Sequence, residues 1–303
     1  MNISILGLPQ SGKSTFLKSL LDISENDPLP EYCTVKVKDN RLNEVGKLLG
    51  HNNLTFPEIS FSELDILSLN SKSTELKGID SLQKSYGIIL VIKCFDIKDT
   101  SKIQNDINEI ITELIVSDTI IIESVIERRL KSSKGKTKQE IELINSEIEL
   151  LNNLKEHLES GKALNSYKLN EGDTRKLGGY NLVTLKPIFV LLNSDTEIME
   201  MDDNVNLMSD INHFLYPAKL EMELSELSED ESNEFRKSLN IEKHLKYNLI
   251  QELYKGMGKI IFITAGDQEI KAWEIQNGDS ALVSSSKIHS DISKGFIRAE
   301  VID

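Results

Sequence analysis

Residues 1–22 constrain the fold most, because a short apolar segment leads directly into a glycine-flanked loop and then into an amphipathic helix. Residues 2–6 suit a buried strand, and apolar residues recur at helical spacing over 13–22. The loop between them reads Gly7-Leu8-Pro9-Gln10-Ser11-Gly12-Lys13-Ser14, which is a glycine, four residues and then glycine-lysine-serine. In this strand–loop–helix context the motif predicts a phosphate-binding loop.

The residue types in this loop suit a nucleoside triphosphate. Glycines allow the backbone to wrap closely around a phosphate, and successive N–H groups at a helix N-terminus form a concavity that binds anions. Lys13 is predicted to reach the β- and γ-phosphates, and Ser14 to give its hydroxyl to Mg²⁺. The other loop residues predicted to contact the nucleotide are Gln10, Ser11, Gly12 and Thr15.

The rest of the chain predicts an α/β architecture. Further strands are predicted at 33–38, 59–66, 88–92 and 187–192, with a helix over 39–49. The unbroken apolar runs at 88–92 and 187–192 are typical of parallel strands covered on both faces. The alternation of strands and helices therefore predicts a doubly wound, mostly parallel sheet.

Two other regions depart from this alternation. Apolar residues recur at intervals of three, four or seven over 107–125 and 141–158, which predicts two long helices packed as an antiparallel hairpin. The segment 131–136 between them is basic, and two interpretations are open: a solvated loop tip, or a contact with anionic RNA or a membrane surface. An acidic helical stretch is predicted over 221–231, and strands at 259–264, 272–275 and 296–301 predict a small C-terminal α+β module.

The composition limits the kinds of partner that the chain is expected to bind. The net charge of −14 argues against sequence-blind nucleic-acid binding by the whole surface. Cys33 and Cys94 are too isolated for a disulfide framework or a metal site, and no apolar run reaches the ~18 residues of a membrane helix. A cytoplasmic location is predicted, with neither a membrane nor sequence-specific DNA as a partner.

A carboxylate is expected near the metal, in addition to the Ser14 hydroxyl. Asp65 is predicted to lie close to Mg²⁺ at the end of the third strand, although it also suits an ordinary strand-end residue. A GTPase shows Asp-x-x-Gly at this point, whereas this chain has Asp65-Ile66-Leu67-Ser68. Ser68 still offers an N–H group to a γ-phosphate, but its backbone is less free than that of glycine.

The base preference is predicted from the segment after the fifth strand. This segment reads Asn193-Ser194-Asp195-Thr196-Glu197, and the chain contains no Asn-Lys-x-Asp. The missing carboxylate would accept hydrogen bonds from guanine that adenine cannot donate, so ATP is favoured over GTP. A register shift that brought Asp195 or Glu197 to the base would restore a guanine preference. Asn193 and Ser194 are the predicted base-side residues.

Several strings together resemble the Obg-like ATPases of the YchF type, over nearly the whole chain. The loop is similar to that family's G-L-P-N-V-G-K-S-T. The C-terminal strings are similar to those of its ubiquitin-like TGS domain. The strings similar to the TGS domain are Thr264-Ala265-Gly266, Ala272-Trp273, Ile288-His289-Ser290-Asp291 and Lys294 to Val301. The other similar segments are Asp39-Asn40-Arg41-Leu42, Glu127-Arg128-Arg129-Leu130 and Ala218-Lys219-Leu220-Glu221-Met222-Glu223.

The resemblance implies a three-part chain that associates with ribosomes or ribosomal RNA. Its parts are a P-loop domain (1–100 and 181–257), an inserted helical hairpin (101–180) and an incomplete TGS-like β-grasp module (258–303). It also places Leu69 where Ras-like proteins have a catalytic glutamine. Family members read the base with N-x-x-E, which Asn193 matches and Thr196 does not.

The departures from the family leave two main functional hypotheses and a third, weaker one, a protein that has lost nucleotide binding and keeps only its partner surfaces. No residue aligns with the family's switch threonine, and Ser68–Leu76 contains none of the glycines of its second switch. The first hypothesis is a slow Mg²⁺-dependent ATPase, an NTP hydrolase that acts as a ribosome- or translation-associated regulator. The second is a nucleotide-binding scaffold or sensor without significant hydrolysis.

Overall fold

The computed structural model describes residues 1–30, 33–64, 77–95, 100–133, 135–195, 212–239, 241, 245–266 and 269–301. The strands are β1 (Asn2–Leu6), β2 (Cys33–Lys36), β3 (Leu54–Thr55), β4 (Glu58–Glu63), β5 (Gly87–Lys93), β6 (Ile188–Asn193), β7 (Asn212–Tyr216), β8 (Lys259–Ala265) and β9 (Ile270–Gln276). The helices are α1 (Lys13–Leu21), α2 (Asn40–Leu49), α3 (Lys77–Lys84), α4 (Thr100–Ser132), α5 (Lys138–Glu159), α6 (Glu171–Leu177), α7 (Ala218–Ser225), α8 (Glu229–Ser238), α9 (Leu245–Gly256), α10 (Ala281–Ile288) and α11 (Ser290–Lys294). None of these helices combines the length and apolarity needed to cross a bilayer.

The larger sheet has six strands in the order β2-β4-β1-β5-β6-β7. The β1–β5, β5–β6 and β6–β7 pairs are parallel, with Ser4 opposite Ile88 and Leu90 opposite Val190. All six residues of β6 and six of the seven in β5 are buried, as expected for central strands covered on both faces. The predicted doubly wound, mostly parallel sheet is therefore confirmed.

The predicted helical hairpin is confirmed as α4 and α5. Its buried apolar residues, such as Ile122 and Leu151, belong to the same core cluster as Leu90 and Leu192 of the sheet. Asp118, fully buried on α4, accepts hydrogen bonds from the backbone N–H groups of residues 183 and 184 at 2.8 and 2.7 Å. These bonds attach the middle of the hairpin to the segment that leads into β6.

The loop between the two hairpin helices carries basic residues that have acidic neighbours. Lys131 lies 3.6 Å from Glu127, and Lys136 lies 3.6 Å from Glu140. Thr137 and Glu140 form a capping box that starts α5. These pairs reduce the local positive charge, which favours the solvated-tip interpretation over a basic docking site.

The chain divides into two compact units, Met1–Cys33 with Phe61–Ile241 and Thr34–Ser60 with Glu242–Asp303. This division differs from the predicted domain boundaries, which placed residues 34–60 with the phosphate loop. In the second unit, β3, β9 and β8 form a three-stranded sheet, and Leu42 of α2 shares a buried cluster with Ile270 and Ala272. Residues 34–60 therefore contribute to the core of the C-terminal unit.

The Asp39-Asn40-Arg41-Leu42 segment explains this grouping locally. Asp39 caps α2 by accepting from the backbone N–H of Arg41, and its carboxylate pairs with the Arg41 guanidinium at 2.7 Å. The same guanidinium donates to the carbonyl of Ile261 on β8 at 3.1 Å. The segment thus fastens α2 to the C-terminal sheet.

The strand predicted at 296–301 is wrong. These residues have no regular secondary structure, and Ile297 and Val301 are 92% and 79% exposed. Their alternating pattern suits a strand, but in the described part of the C-terminal unit no strand pairs with them. The short helices α10 and α11 occupy the preceding residues.

Candidate functional site

The loop from Gly7 to Ser14 connects the end of β1 to the start of α1 with an unusual backbone. Gln10 has a φ of 62° and Gly12 a φ of 90°, both in the left-handed region. The N–H of Ser11 donates to the carbonyl of Leu8 at 3.2 Å, which closes a tight turn. Helix α1 begins at Lys13 directly after this turn, and the N-terminus of a helix favours an anion.

Both glycines are required by close packing. A Cβ on Gly7 would lie 2.5 Å from Ser11 Oγ and 2.5 Å from the carbonyl oxygen of Val91 on β5. A Cβ on Gly12 would overlap the side-chain amide nitrogen of Asn193. The loop therefore lies directly against the carboxyl ends of the central strands, where open α/β sheets bind ligands.

Lys13 is buried against the loop that precedes it. Its side chain is 5% exposed, and Nζ donates to the carbonyls of Gly7 at 3.0 Å and Leu8 at 3.3 Å. These contacts hold the ammonium group within the turn. The group is therefore placed for phosphate oxygens that enter the loop.

Ser14 is exposed, and its hydroxyl is hydrogen-bonded to Glu63. Ser14 Oγ lies 3.0 and 3.2 Å from the two carboxylate oxygens of Glu63, the last residue of β4. Asp65, the carboxylate predicted beside Ser14, lies outside the described residues, and the contact of Ser14 with Glu63 is not predicted from the sequence. The available signal was spacing, because residues two apart on an extended chain point to the same face.

Asn193 joins the phosphate loop to the next strand. It is 4% exposed; its Nδ2 donates to the Ser11 carbonyl at 3.0 Å, and its Oδ1 accepts from the Ala218 N–H at 3.2 Å. Ala218 begins α7, so one side chain holds both the loop and the start of that helix. Ser194 is buried beside it, whereas Asp195 is exposed.

One aromatic residue packs against helix α1 and another lies beside the loop. Tyr216, at the end of β7, packs edge-on against Phe16 with ring centroids 5.4 Å apart, and its hydroxyl lies 3.1 Å from Ser19 Oγ. Burial raises the pKa of Tyr216, so the phenol stays neutral. Phe95, after β5, lies beside the loop with Lys93 Nζ 4.5 Å from its ring centroid. Neither ring is predicted from the sequence to belong to the site.

A buried ion pair fixes α7 behind the site. Glu221 and Arg236 are joined by two hydrogen bonds of 2.6 and 2.8 Å, with side chains 4% and 14% exposed. The pairing raises the pKa of Arg236, against the opposing effect of burial. Glu221 belongs to the family-like segment Ala218–Glu223, but its pairing with Arg236 is not predictable from that segment.

The predicted site residues divide into those that the structure brings together and those outside it. Loop residues 10–15 and the pair Asn193 and Ser194 lie at one edge of the sheet. Asp65, Leu69 and Thr196 lie outside the described residues. The contact between Asn193 and Ser11 links the predicted phosphate and base sides directly.

The donor groups of this edge fit a nucleotide with Mg²⁺. Within the described residues the hydroxyls of Ser11 and Ser194 are buried without a hydrogen-bond partner. A hydroxyl with a carboxylate at 3.0 Å supplies the hard oxygen atoms that Mg²⁺ requires. The described residues hold no cluster of three or more His, Cys, Asp or Glu side chains that could bind a metal.

A glycine loop with a buried lysine, between the first strand of a parallel sheet and the helix that follows, defines the class of P-loop nucleotide-binding proteins. Comparison with known proteins narrows this class. The chain is 30% identical to a ribosome-binding ATPase YchF of Buchnera aphidicola from Schizaphis graminum, over 99% of this chain and 87% of that protein. It is 28% identical to the ribosome-binding ATPase YchF of Bacillus subtilis, over 100% of this chain and 88% of that protein.

Two further comparisons agree with these. The solved structure of the Schizosaccharomyces pombe YchF GTPase matches with a TM-score of 0.82 at 21% identity, over 98% of this chain and 86% of that one. The family model YchF-GTPase_C, described as a protein of unknown function, matches residues 260–303. The chain belongs to the YchF family.

Proposed function

We propose that this chain binds ATP with Mg²⁺ at the loop Gly7–Ser14, hydrolyses it slowly, and acts as a ribosome-associated regulator in the cytoplasm. The observation that carries the proposal is the preformed loop, in which Lys13 is buried against the turn and Asn193 fixes the Ser11 carbonyl. The names of the bacterial relatives, ribosome-binding ATPases, support the activity and the partner.

The residues of the loop bind and orient the triphosphate. The N–H groups of the loop and of the first turn of α1 donate to the β-phosphate oxygens, while Lys13 exchanges its carbonyl partners for phosphate oxygens. Ser14 and Asp65 are the proposed metal-side residues. Bound Mg²⁺ would offset the negative charge that develops on the phosphates during hydrolysis.

Hydrolysis breaks the bond between the γ-phosphorus and its bridging oxygen. A water molecule attacks the phosphorus, ADP leaves, and the proton of the water is released with inorganic phosphate. Leu69 at the position of a catalytic glutamine cannot orient this water through a polar side chain. Slow turnover follows, because backbone groups alone must position the nucleophile.

The base side favours adenine in this proposal. Asn193 is occupied by its two backbone contacts, and neighbouring Ser194 carries no charge to accept from the guanine ring N–H. The name of the fission yeast structure, a YchF GTPase, keeps GTP as the competing nucleotide to test. The three-part division into 1–100 with 181–257, 101–180 and 258–303 remains our proposal for the functional organisation.

The test is calorimetric titration with ATP and with GTP, each in Mg²⁺, followed by phosphate release from the same sample. Lys13→Ala should weaken ATP binding about tenfold or more, which corresponds to about 1.4 kcal/mol. Lys18→Ala is the matched control, because Lys18 on the same helix donates instead to the carbonyl of Glu25.

Three outcomes separate the hypotheses. ATP binding with Lys13-dependent phosphate release supports the ATPase. Binding without phosphate release above background selects the nucleotide-binding scaffold or sensor. No binding of either nucleotide at millimolar concentration refutes the proposal.

A further inference from the structure

The hydrogen bond between Ser14 and Glu63 suggests a role for a carboxylate that neither the motif nor the comparisons assign. The two carboxylate oxygens of Glu63 lie 3.0 and 3.2 Å from Ser14 Oγ, and both side chains are exposed. We infer that Glu63 is part of the Mg²⁺ site, where it orients the Ser14 hydroxyl and makes nucleotide binding depend on the metal. This inference rests on the proposed function and deepens it.

The backbone around Glu63 fixes its position although its side chain is exposed. The N–H of Leu64 donates to the carbonyl of Ile5 on β1 at 3.0 Å, and Ser62 Oγ lies 3.5 Å from Ser4 Oγ. These contacts fix the end of β4 beside the end of β1, one residue before the loop starts. The contacts between β4 and β1 therefore place Glu63 next to the loop.

The chemistry of the pair determines which atoms remain for a cation. A carboxylate only accepts hydrogen bonds, so the single hydroxyl hydrogen of Ser14 must point to Glu63. The lone pairs of Ser14 Oγ are then directed away from Glu63 and are free to coordinate an ion. Partners of this kind, which orient a metal ligand without being one, commonly change metal affinity when they are removed.

The charge of Glu63 acts in opposite directions on the two ligands. A negative charge beside Ser14 attracts Mg²⁺, both directly and through water ligands of the ion, but it repels a triphosphate that arrives without metal. The carboxylate should therefore couple the two ligands, and such coupling is reciprocal for binding free energies. A role of the Ser14–Glu63 hydrogen bond in folding stability alone explains the pair less well, because a single bond between two exposed side chains adds little to the free energy of unfolding.

The experiment measures ATP affinity by calorimetry in EDTA and across a Mg²⁺ series, for wild type and for Glu63→Gln, which keeps the shape and removes the charge. We expect the Mg²⁺ concentration for half-maximal enhancement to rise about tenfold. We expect the metal-free affinity to rise about twofold. Glu63→Asp retains the charge and should raise the Mg²⁺ requirement less. Glu58→Gln makes the same substitution at the other end of β4 and should change neither quantity.

The outcomes distinguish this inference from the proposed function. A wild type that binds ATP while Glu63→Gln shows the same Mg²⁺ requirement overturns the inference alone. Equal shifts in Glu63→Gln and Glu58→Gln also overturn it, since they would reflect net charge only. A wild type that binds no nucleotide overturns both. Circular dichroism of the nucleotide-free variants checks that each is folded.

Discussion

Asn193 gives the sharpest prediction, because one buried side chain makes two contacts that hold the site together. Its amide nitrogen donates to the Ser11 carbonyl at 3.0 Å, and its amide oxygen accepts from the Ala218 N–H at 3.2 Å. Asn193→Ala removes both partners and leaves two backbone groups facing a cavity in a region that is 4% or less exposed. Each unsatisfied buried group costs about 1–3 kcal/mol, so the free energy of unfolding should fall by about 2–6 kcal/mol.

Asn193→Asp separates the two contacts. The introduced carboxyl keeps an acceptor for the Ala218 N–H, but its second oxygen faces the Ser11 carbonyl and can bond to it only when protonated. The folded state therefore favours the protonated carboxyl, which raises its pKa above the value in the unfolded chain. The loss of stability relative to wild type should be largest at neutral pH and should shrink as the pH falls through that raised pKa.

The assay is urea unfolding of nucleotide-free protein, followed by the helical signal in circular dichroism. Tryptophan fluorescence is unsuitable, because the single tryptophan, Trp273, lies in the other compact unit. Asn212→Ala, an exposed asparagine on the neighbouring strand β7, is the matched control and should leave the midpoint unchanged. If Asn193→Ala unfolds at the same urea concentration as wild type, the two contacts do not support the loop as argued.

Three further predictions follow from described contacts. Gly12→Ala should abolish ATP binding in calorimetry, because the φ of 90° at Gly12 and its contact with Asn193 leave no room for a Cβ. The control Gly50→Ala, at a φ of 69° in open space, should lose stability but keep ATP binding. Retained binding in Gly12→Ala would contradict this account. Arg236→Ala should lower the free energy of unfolding by about 3–5 kcal/mol, because it leaves Glu221 buried and unpaired, whereas Lys219→Ala at the surface of α7 should change little. Burial raises the pKa of Asp39, but its hydrogen bonds from Arg41 outweigh this and hold the pKa below its ordinary value. Its contribution to stability is therefore complete above that ordinary value and is lost as the pH falls through the lowered pKa. Acid unfolding of Asp39→Asn should lack this component, and an unchanged acid profile would refute the assignment.

Local patterns were sufficient to predict the elements of the sheet and the hairpin. Strands β5 and β6 contain unbroken apolar runs, β1 is a short and largely buried strand, and α4 and α5 repeat apolar residues at helical spacing, so each is defined by its own residues. The loop was equally predictable, since its glycines and Lys13 are consecutive in the chain. The short strand β7 was missed, because its sequence Asn-His-Phe-Leu-Tyr carries two polar residues and no clear period.

Contacts between distant residues could not be predicted in the same way. Asn193 meets Ser11 across 182 residues, and Ser14 meets Glu63 across 49, with no sequence pattern that links either pair. The grouping of residues 34–60 with the C-terminal sheet depends on Leu42 packing against Ile270, which periodicity within α2 cannot reveal. Composition at 296–301 suits a strand, but strand formation also needs a partner.

The described contacts suggest that nucleotide binding and hydrolysis are separable in this chain. Lys13 donates to the carbonyls of its own loop, and Asn193 bonds to Ser11 and Ala218, so the described contacts of both side chains are made by residues outside the segment that departs most from the family, Ser68–Leu76. Divergence in that segment alters none of the residues that make these described contacts, so weakened positioning of water is compatible with an intact phosphate loop. The same separation explains how an intact phosphate loop is compatible with both hypotheses, an ATPase of slow turnover and a nucleotide-dependent scaffold, which differ only in the step after binding.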